Sequence, residues 1–346
     1  MRTEVLSTRS QPEAGTKRGA ELIRAGELVA FPTETVYGLG ADGLNEEAVL
    51  KIFAAKGRPA DNPLILHVAK KSDVRELWMR MPKNAQQLME TFWPGPLTLI
   101  APRSDRVPDA VTAGLDTVAV RMPDNETARM LIKRAGAPIA APSANLSGKP
   151  SPTTAEDVLA DMDGRIPLIL DGGPCRYGVE STVLALSGTP TILRPGAVTR
   201  AMLSTVLGEV NVAGSGLSPL KEGEVAASPG MKYKHYAPNA EVIVLMGESA
   251  DVAKKARALY HECEREGKRC EIAATEETKR FYNREKYVIL GRKSEPETLC
   301  ASLFRELREM DGRADVILAE GVPAESYGLA FMNRLLRAAG FHIIHC

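Results

Sequence analysis

The sequence predicts an α/β protein. Strand-like apolar runs alternate with segments of helical periodicity along its whole length, and punctuation by Gly, Pro and Asn falls between them. The 346 residues suggest about two domains, each long enough to bury its own core. Apolar content of 44% and charged content of 25% are those of a globular chain rather than a disordered one.

The first predicted strand is ELVAFP (27–32), and a helix follows over NEEAVLKIFAAKG (45–57). Asn45 is suited to the N-cap, Val49, Ile52 and Phe53 share one face, and Gly57 ends the helix. Further strands are read at LILHV (64–68), LTLIA (97–101), TVAVR (117–121), PIAAP (138–142), LILDGG (168–173), STVLAL (181–186) and TILRPG (191–196). DNETARMLIKRAG (124–136) and TTAEDVLADMDG (153–164) read as helices with polar caps. These elements make a first domain over residues 1–207. Residues 208–238 are rich in Gly, Ser, Pro and Lys and read as a linker, longer than an ordinary loop. Residues 239–346 then carry AEVIVLM, CEIAA, KYVILG and ADVILAE with long helices between them, the pattern of a smaller Rossmann-like parallel α/β domain.

Composition removes several functions. Lys plus Arg equals Asp plus Glu, so a wide basic face for gripping nucleic acid is not expected. No apolar run approaches the ~20 residues of a membrane span, and the N-terminal stretch lacks the apolar centre of a signal peptide. A cytoplasmic protein is expected. The five cysteines form no C-x-x-C pair and read as reduced thiols.

Two glycine motifs invite misreading. The run 38-GLGADG-43 matches G-x-G-x-x-G, but PTETVY separates it from the preceding strand and Lys56-Gly57-Arg58 stands where an acid should grip ribose. SANLSGKPS (143–151) lacks one glycine of a P-loop and puts Pro150 where a hydroxyl should hold magnesium.

What remains is a set of cations and neutral donors at strand ends and turns: Thr33, Thr35, Lys56, Arg58, Asn62, His67, Thr117, Arg121, Ser143, Asn145, Ser147, Ser151, Ser181 and Arg194. Ligands of open α/β sheets bind near strand ends, and such a set suits an anionic, oxygen-rich ligand such as phosphate or carboxylate. Singly, each residue has an ordinary structural explanation. Lys56 and Arg58 sit where a helix dipole favours cations, His67 lies in an apolar strand, and Ser143 and Asn145 are turn formers.

PTETVYGLG, the K-x-R of 56-KGRP-59 with NPL and His67 behind it, WPGPLTLI (93–100), VAVRMP (118–123), APSANLSGKPSPT, 180-ESTV-183 and ILRPGA (192–197) together resemble the YrdC-like family over nearly all of residues 13–200. SPGMKYKHYAP (228–238) and the domain after it resemble that family's long, two-domain form. The resemblance implies a twisted mixed α/β sheet with a concave groove. It also implies nucleotidyl transfer: L-threonine, bicarbonate or CO2, and ATP give threonylcarbamoyl-AMP and pyrophosphate. Other proteins then transfer the threonylcarbamoyl group to tRNA, with no stable nucleic-acid complex expected here.

By the same resemblance Thr35, His67, Arg121, Ala141 and Ser181 surround L-threonine. Arg58, Asn62, Thr117, Ser143, Ser151, Arg194 and Tyr236 surround ATP. Lys56 and Asn145 join Arg58 and Ser143 as the catalytic K-x-R and S-x-N groups, facing phosphates or bicarbonate. Mg2+ is expected to accompany the triphosphate, with no protein metal site. Lys232, Tyr233, Lys234, His235 and Tyr236 are expected to form a lid, or else a tether whose aromatics dock on the second domain. An RNA-binding module and a carbamoyl-handling hydrolase or transferase are the alternative functions.

Overall fold

The computed structural model describes residues 2–214, Leu217 and 236–346. These fall into two compact units, one of residues 2–147 and 151–214, the other of residues 148–150, 217 and 236–346. The lid residues Lys232, Tyr233, Lys234 and His235 lie outside the described residues.

In the first unit the chain opens with β1 (Glu4–Ser7), α1 (Pro12–Arg24), β2 (Val29–Phe31), β3 (Gly38–Asp42), α2 (Glu46–Lys56) and β4 (Ile65–His67). Next come α3 (Val74–Leu77), α4 (Ala85–Phe92), β5 (Leu97–Pro102), α5 (Asp109–Thr112), β6 (Thr117–Arg121), α6 (Glu126–Ala135) and β7 (Ile139–Ala140). The unit closes with α7 (Ala155–Met162), β8 (Leu168–Asp171), β9 (Thr182–Ala185), β10 (Thr191–Arg194), α8 (Arg200–Leu207) and β11 (Asn211–Val212). All its strands join one mixed sheet in the order β1-β8-β2-β3-β7-β4-β6-β5-β9-β10-β11.

The second unit contains β12 (Glu241–Met246), α9 (Ser249–Arg265), β13 (Cys270–Thr275), β14 (Tyr287–Gly291), α10 (Pro296–Asp311), β15 (Val316–Glu320), α11 (Tyr327–Ala338) and β16 (Ile343–His345). Its strands run parallel in the order β14-β13-β15-β12-β16. Strands buried on both faces explain their nearly unbroken apolar runs. One carboxylate is sealed inside this unit: Glu320 accepts hydrogen bonds from Thr275, Thr278 and Tyr282 at 2.7–3.1 Å, which offsets its loss of water.

Local sequence accounts for the elements around the site. The Asn45 side chain accepts a hydrogen bond from the Ala48 N–H at the start of α2, and Gly57 ends the helix at φ 61°, a conformation that glycine adopts without steric penalty. Asn125 caps α6 in the same way through Ala128. The run GLGADG is itself strand β3 and the turn after it. A Cβ at Gly40 would meet Ile139 Cγ2 at 2.7 Å and the Phe31 ring at 2.8 Å; one at Gly43 would meet Leu66 Cδ2 at 2.5 Å. These glycines let neighbouring strands and the Phe31 ring approach closely, a packing role that fits the rejection of the dinucleotide reading.

The stretch expected to begin the linker behaves differently from the expectation. Thr191 and Ile192 pair in parallel with Asn211 and Val212, so the first sheet continues past residue 207 to β11. Val210 is buried in the first unit's core beside Leu203 and Ile192, and that apolar anchor holds the segment down. In addition, β1, α1 and α4 occupy segments to which the sequence reading gave no element.

Candidate active site

Sheet register builds one side of the site. His67 ends β4 and Arg121 ends β6, and the two are direct partners of this parallel pair. Arg121 is in turn opposite Thr98 of the antiparallel neighbour β5. Partners in register project from the same face, so His67, Arg121 and Thr98 form a polar row across three strands. Ser181, just before β9, extends the row: its hydroxyl lies 2.8 Å from that of Thr98. Arg194 ends β10 and donates through Nη2 to Ser181 Oγ at 3.2 Å and through Nε to the Ser181 carbonyl at 3.1 Å.

The turn carrying Arg194 depends on Gly196. A Cβ there would lie 2.4 Å from the Thr182 nitrogen and 2.7 Å from the Glu180 carbonyl oxygen. Gly196→Ala is therefore expected to destabilise the protein by about 1–3 kcal/mol through overpacking. It should also raise the KM for L-threonine, the ligand that the family resemblance assigns to Ser181, by displacing that residue; chemical denaturation and initial-rate kinetics check both.

Arg121 is the most constrained cation. Its Nη1 donates to Thr35 Oγ1 at 2.9 Å and its Nε to the Gly95 carbonyl at 3.3 Å. Its Nη2 lies 2.7 Å from Glu34 Oε1, with the two side chains only 4% and 5% exposed. That contact is short, yet neither Glu34 oxygen nor Arg121 Nη2 takes part in a directed hydrogen bond. Charge is balanced here while hydrogen-bonding capacity is left over, a condition that suits an incoming ligand. Thr33 Oγ1 lies 2.8 Å from Thr35 Oγ1 and fixes the start of this loop.

His67 is held neutral. Burial first, and then the Arg121 cation, lower its pKa to about 3. Its Nδ1–H donates to the Ile65 carbonyl at 3.1 Å, and its ring meets the Phe31 ring edge to face at 6.0 Å. A histidine so placed does not shuttle protons near neutral pH. Its folded-state pKa lies below the unfolded value near 6.5, so it binds fewer protons when folded, and stability falls as pH drops below 6.5. The slope amounts to about 2 kcal/mol between pH 6.5 and pH 5. His67→Gln is expected to flatten this part of the stability profile, measured by urea unfolding at each pH. The Cys175 thiol is pushed up by burial and stays protonated, so it is no thiolate nucleophile.

The S-x-N loop forms a second group. Lys56, at the end of α2, directs its ammonium to the carbonyl oxygens of Ser143 and Asn145, both at 2.5 Å, and to Asn145 Oδ1 at 3.4 Å. The Ser147 N–H closes the latch on the Lys56 carbonyl at 2.9 Å, and Ser143 Oγ donates to Asn145 Oδ1 at 2.5 Å. The three N–H groups of Lys56 have loop oxygens within reach, and the helix terminus and the loop pack together and bury it to 3% exposure. Ser151 Oγ donates to Glu180 Oε1 at 2.5 Å, joining this loop to the Ser181 turn. The backbone of Ala141 is fixed through its N–H to Ile65 at 3.0 Å.

A third group lies at the opposite ends of β4 and β6. Arg58 Nη2 donates to the carbonyls of Asn62 and Pro63 at 3.1 and 3.2 Å. The Asn62 carboxamide is 1% exposed, yet neither its oxygen nor its nitrogen makes a hydrogen bond. Thr117 begins β6, four residues from Arg121, so roughly 13 Å of strand separates this group from the first. An amino acid alone does not bridge that length. Tyr236 belongs to the second unit, where its ring packs on Phe304 at a centroid distance of 5.0 Å.

Comparison with known proteins places this geometry. The family model described as "Telomere recombination" matches residues 21–196. The one described as "Threonylcarbamoyl-AMP synthase, C-terminal domain" matches residues 198–340. A Bacillus subtilis (strain 168) protein called threonylcarbamoyl-AMP synthase is 48% identical over 99% of this chain and 97% of its own length. The chain belongs to the threonylcarbamoyl-AMP synthase family. A Pyrococcus abyssi member is also 48% identical, over 99% of both chains. The crystal structure of P. abyssi Sua5 complexed with L-threonine matches with a TM-score of 0.93 at 47% identity, covering 99% of this chain and 100% of that one. The relatives' name is that of a nucleotidyltransferase.

Within this family member, sequence reasoning passed over three buried polar side chains at the site: Glu34, Thr98 and Glu180. Each stands inside a motif quoted above, PTETVY, WPGPLTLI or ESTV. The available signals were a carboxylate between two threonines and a lone hydroxyl in the apolar strand LTLIA. Among the described residues, no helix is long and apolar enough to cross a membrane.

Proposed function

We propose that the first unit makes L-threonylcarbamoyl-AMP and pyrophosphate from L-threonine, bicarbonate or CO2, and ATP. The observation that carries this reading is the seat of Arg121: a buried guanidinium with Nη2 donors to spare, among the hydroxyls of Thr35, Thr98 and Ser181. An amino acid's carboxylate suits that donor set, and the similarity to a structure complexed with L-threonine supports the choice of amino acid.

In this reading Arg121 holds the carboxylate, while Thr35, His67, Ala141 and Ser181 line the amino-acid pocket. The unmatched carboxamide of Asn62, with Arg58 and Thr117, receives the nucleoside end of ATP. Ser143, Ser151 and Arg194 receive phosphates, and a divalent cation enters with the triphosphate as part of the substrate. Lys56 and Asn145 keep the Ser143 loop in place. The free amine of threonine attacks CO2 to form a carbamate, whose oxygen then attacks the α-phosphorus as pyrophosphate leaves. Fixed donors that gather the reactants and balance their charge carry most of such a reaction; proximity alone supplies on the order of 7–11 kcal/mol. The product is suited to transfer onto tRNA by other proteins, in the cytoplasm.

The test is pyrophosphate release with ATP, Mg2+, bicarbonate and each amino acid in turn. Release that requires both threonine and bicarbonate supports the reading. Inorganic phosphate release that requires neither favours a hydrolase and overturns it.

A further inference from the structure

The proposed site contains a carboxylate for which the reading so far has no use. Glu34 is almost fully buried, is bound in charge to Arg121 at 2.7 Å, and has neither oxygen in a directed hydrogen bond. A pocket that took only anions would gain nothing from a sealed carboxylate, because burying one without hydrogen bonds is unfavourable. A pocket with one fixed cation and one fixed anion in contact, each with unfilled hydrogen-bonding capacity, complements a ligand that carries both charges close together. A zwitterionic α-amino acid is such a ligand: its carboxylate faces Arg121 and its ammonium faces Glu34. The other side chains lining this end that could accept from the ammonium, His67, Thr35, Thr98 and Ser181, are neutral, and the one other carboxylate named at the site, Glu180, already accepts from Ser151 at 2.5 Å.

We propose that Glu34 binds the α-ammonium group of the amino-acid substrate and is the first acceptor of the proton that this group must lose. The inference rests on the function proposed above and deepens it. An ammonium has no lone pair, so carbamate formation needs that proton removed. The balance is R–NH3+ plus HCO3− giving R–NH–CO2−, water and one proton. In this step two N–H bonds and one C–O bond of bicarbonate break and a C–N bond forms; the first proton passes to a Glu34 oxygen and on to solvent, and the second leaves with the bicarbonate hydroxyl as water. Thr33 and Thr35, on either side of Glu34, hold the loop that presents it, through the 2.8 Å contact of their hydroxyls.

The experiment compares L-threonine with 3-hydroxybutyrate, which keeps the carboxylate and hydroxyl but has no amine. Binding of each is measured by calorimetry to the full-length protein and to Glu34→Gln. The expected result is a loss of about tenfold to a hundredfold in threonine affinity, typical of one charge-assisted hydrogen bond, with 3-hydroxybutyrate binding unchanged or tighter. The turnover deficit of Glu34→Gln should also shrink from pH 7 to pH 9.5, as the free amine forms without help. Equal losses for both ligands, or a deficit independent of pH, would mean that Glu34 only supports Arg121, and would overturn the proposal. If Glu34→Gln does not fold, Glu34→Asp answers the same question: its shorter carboxylate should weaken threonine selectively, and an equal loss for both ligands overturns the proposal. A wild-type protein that releases no pyrophosphate with threonine and bicarbonate would instead overturn the function on which the inference stands.

Discussion

Arg121→Ala is expected to lower kcat/KM for threonine by about 10²–10³-fold, the usual scale for truncating one partner of a buried charge contact. The KM for ATP should change far less, because Arg58, Asn62 and Thr117, which we propose receive the nucleoside, lie at the other ends of β4 and β6. Equal losses for both substrates would misplace Arg121. The same replacement should destabilise the protein by about 3–5 kcal/mol, since it leaves Glu34 buried without its counter-charge. Removing both charges together separates the two effects. Glu34→Gln with Arg121→Met should recover most of the lost stability, as replacement of a buried ion pair by neutral groups often does, and recover none of the activity. Urea unfolding and initial rates on the two single variants and the double variant complete that cycle.

Lys56→Met carries the second large effect, and the structure changes its expected cause. Loss of charge opposite a phosphate would slow turnover with little change in stability. The observed ammonium instead holds the carbonyls of Ser143 and Asn145. Its removal takes a donor from the Ser143 and Asn145 carbonyls, each loss costing roughly 1–3 kcal/mol. The expected destabilisation is about 2–4 kcal/mol, less than the sum because burying the ammonium was itself unfavourable. Turnover should fall about 10²-fold, the scale of an ångström-level misplacement of reacting groups. Wild-type stability with reduced turnover would return Lys56 to direct contact with substrate. Wild-type values of both would remove it from the site.

How much of this was legible in the sequence depended on the range of the interactions. The helix α2 could be read because its determinants are adjacent: Asn45 caps it, Gly57 stops it, and Val49, Ile52 and Phe53 face one way. The strand ends at His67, Arg121 and Arg194 were legible for the same reason, as apolar runs that finish on a polar residue. Helix α1 was not, because its buried face is made of Gly15, Thr16, Gly19 and Ala20, small residues with little hydrophobic signal, with Ile23 the one large apolar side chain among them. Strand β3 was hidden by its own glycines, which look like a turn until Phe31 and Ile139 are seen packed against them. Strand β11 is two residues long and exists only through pairing with β10.

At the site, residue types and motifs identified the participants, but not who holds whom. The Glu34–Arg121 contact spans 87 residues of sequence, and the Lys56–Ser143 latch also spans 87. Nothing local specifies either contact, so Lys56 was expected at phosphate and Glu34 was passed over. Both are consequences of register. Arg121 at the end of β6 meets Thr35 and Glu34 on the loop between β2 and β3, and Lys56 reaches Ser143 because α2 ends where the loop after β7 begins.

We propose that donors around Arg121 in the first unit gather threonine, bicarbonate and ATP. A crystal structure with L-threonine and a non-hydrolysable ATP analogue tests this most directly. The threonine carboxylate is expected on Arg121, its ammonium toward Glu34, and the nucleoside near Asn62. Threonine and nucleotide both bound among residues 241–346, with Arg121 still facing only Glu34 and Thr35, would contradict it.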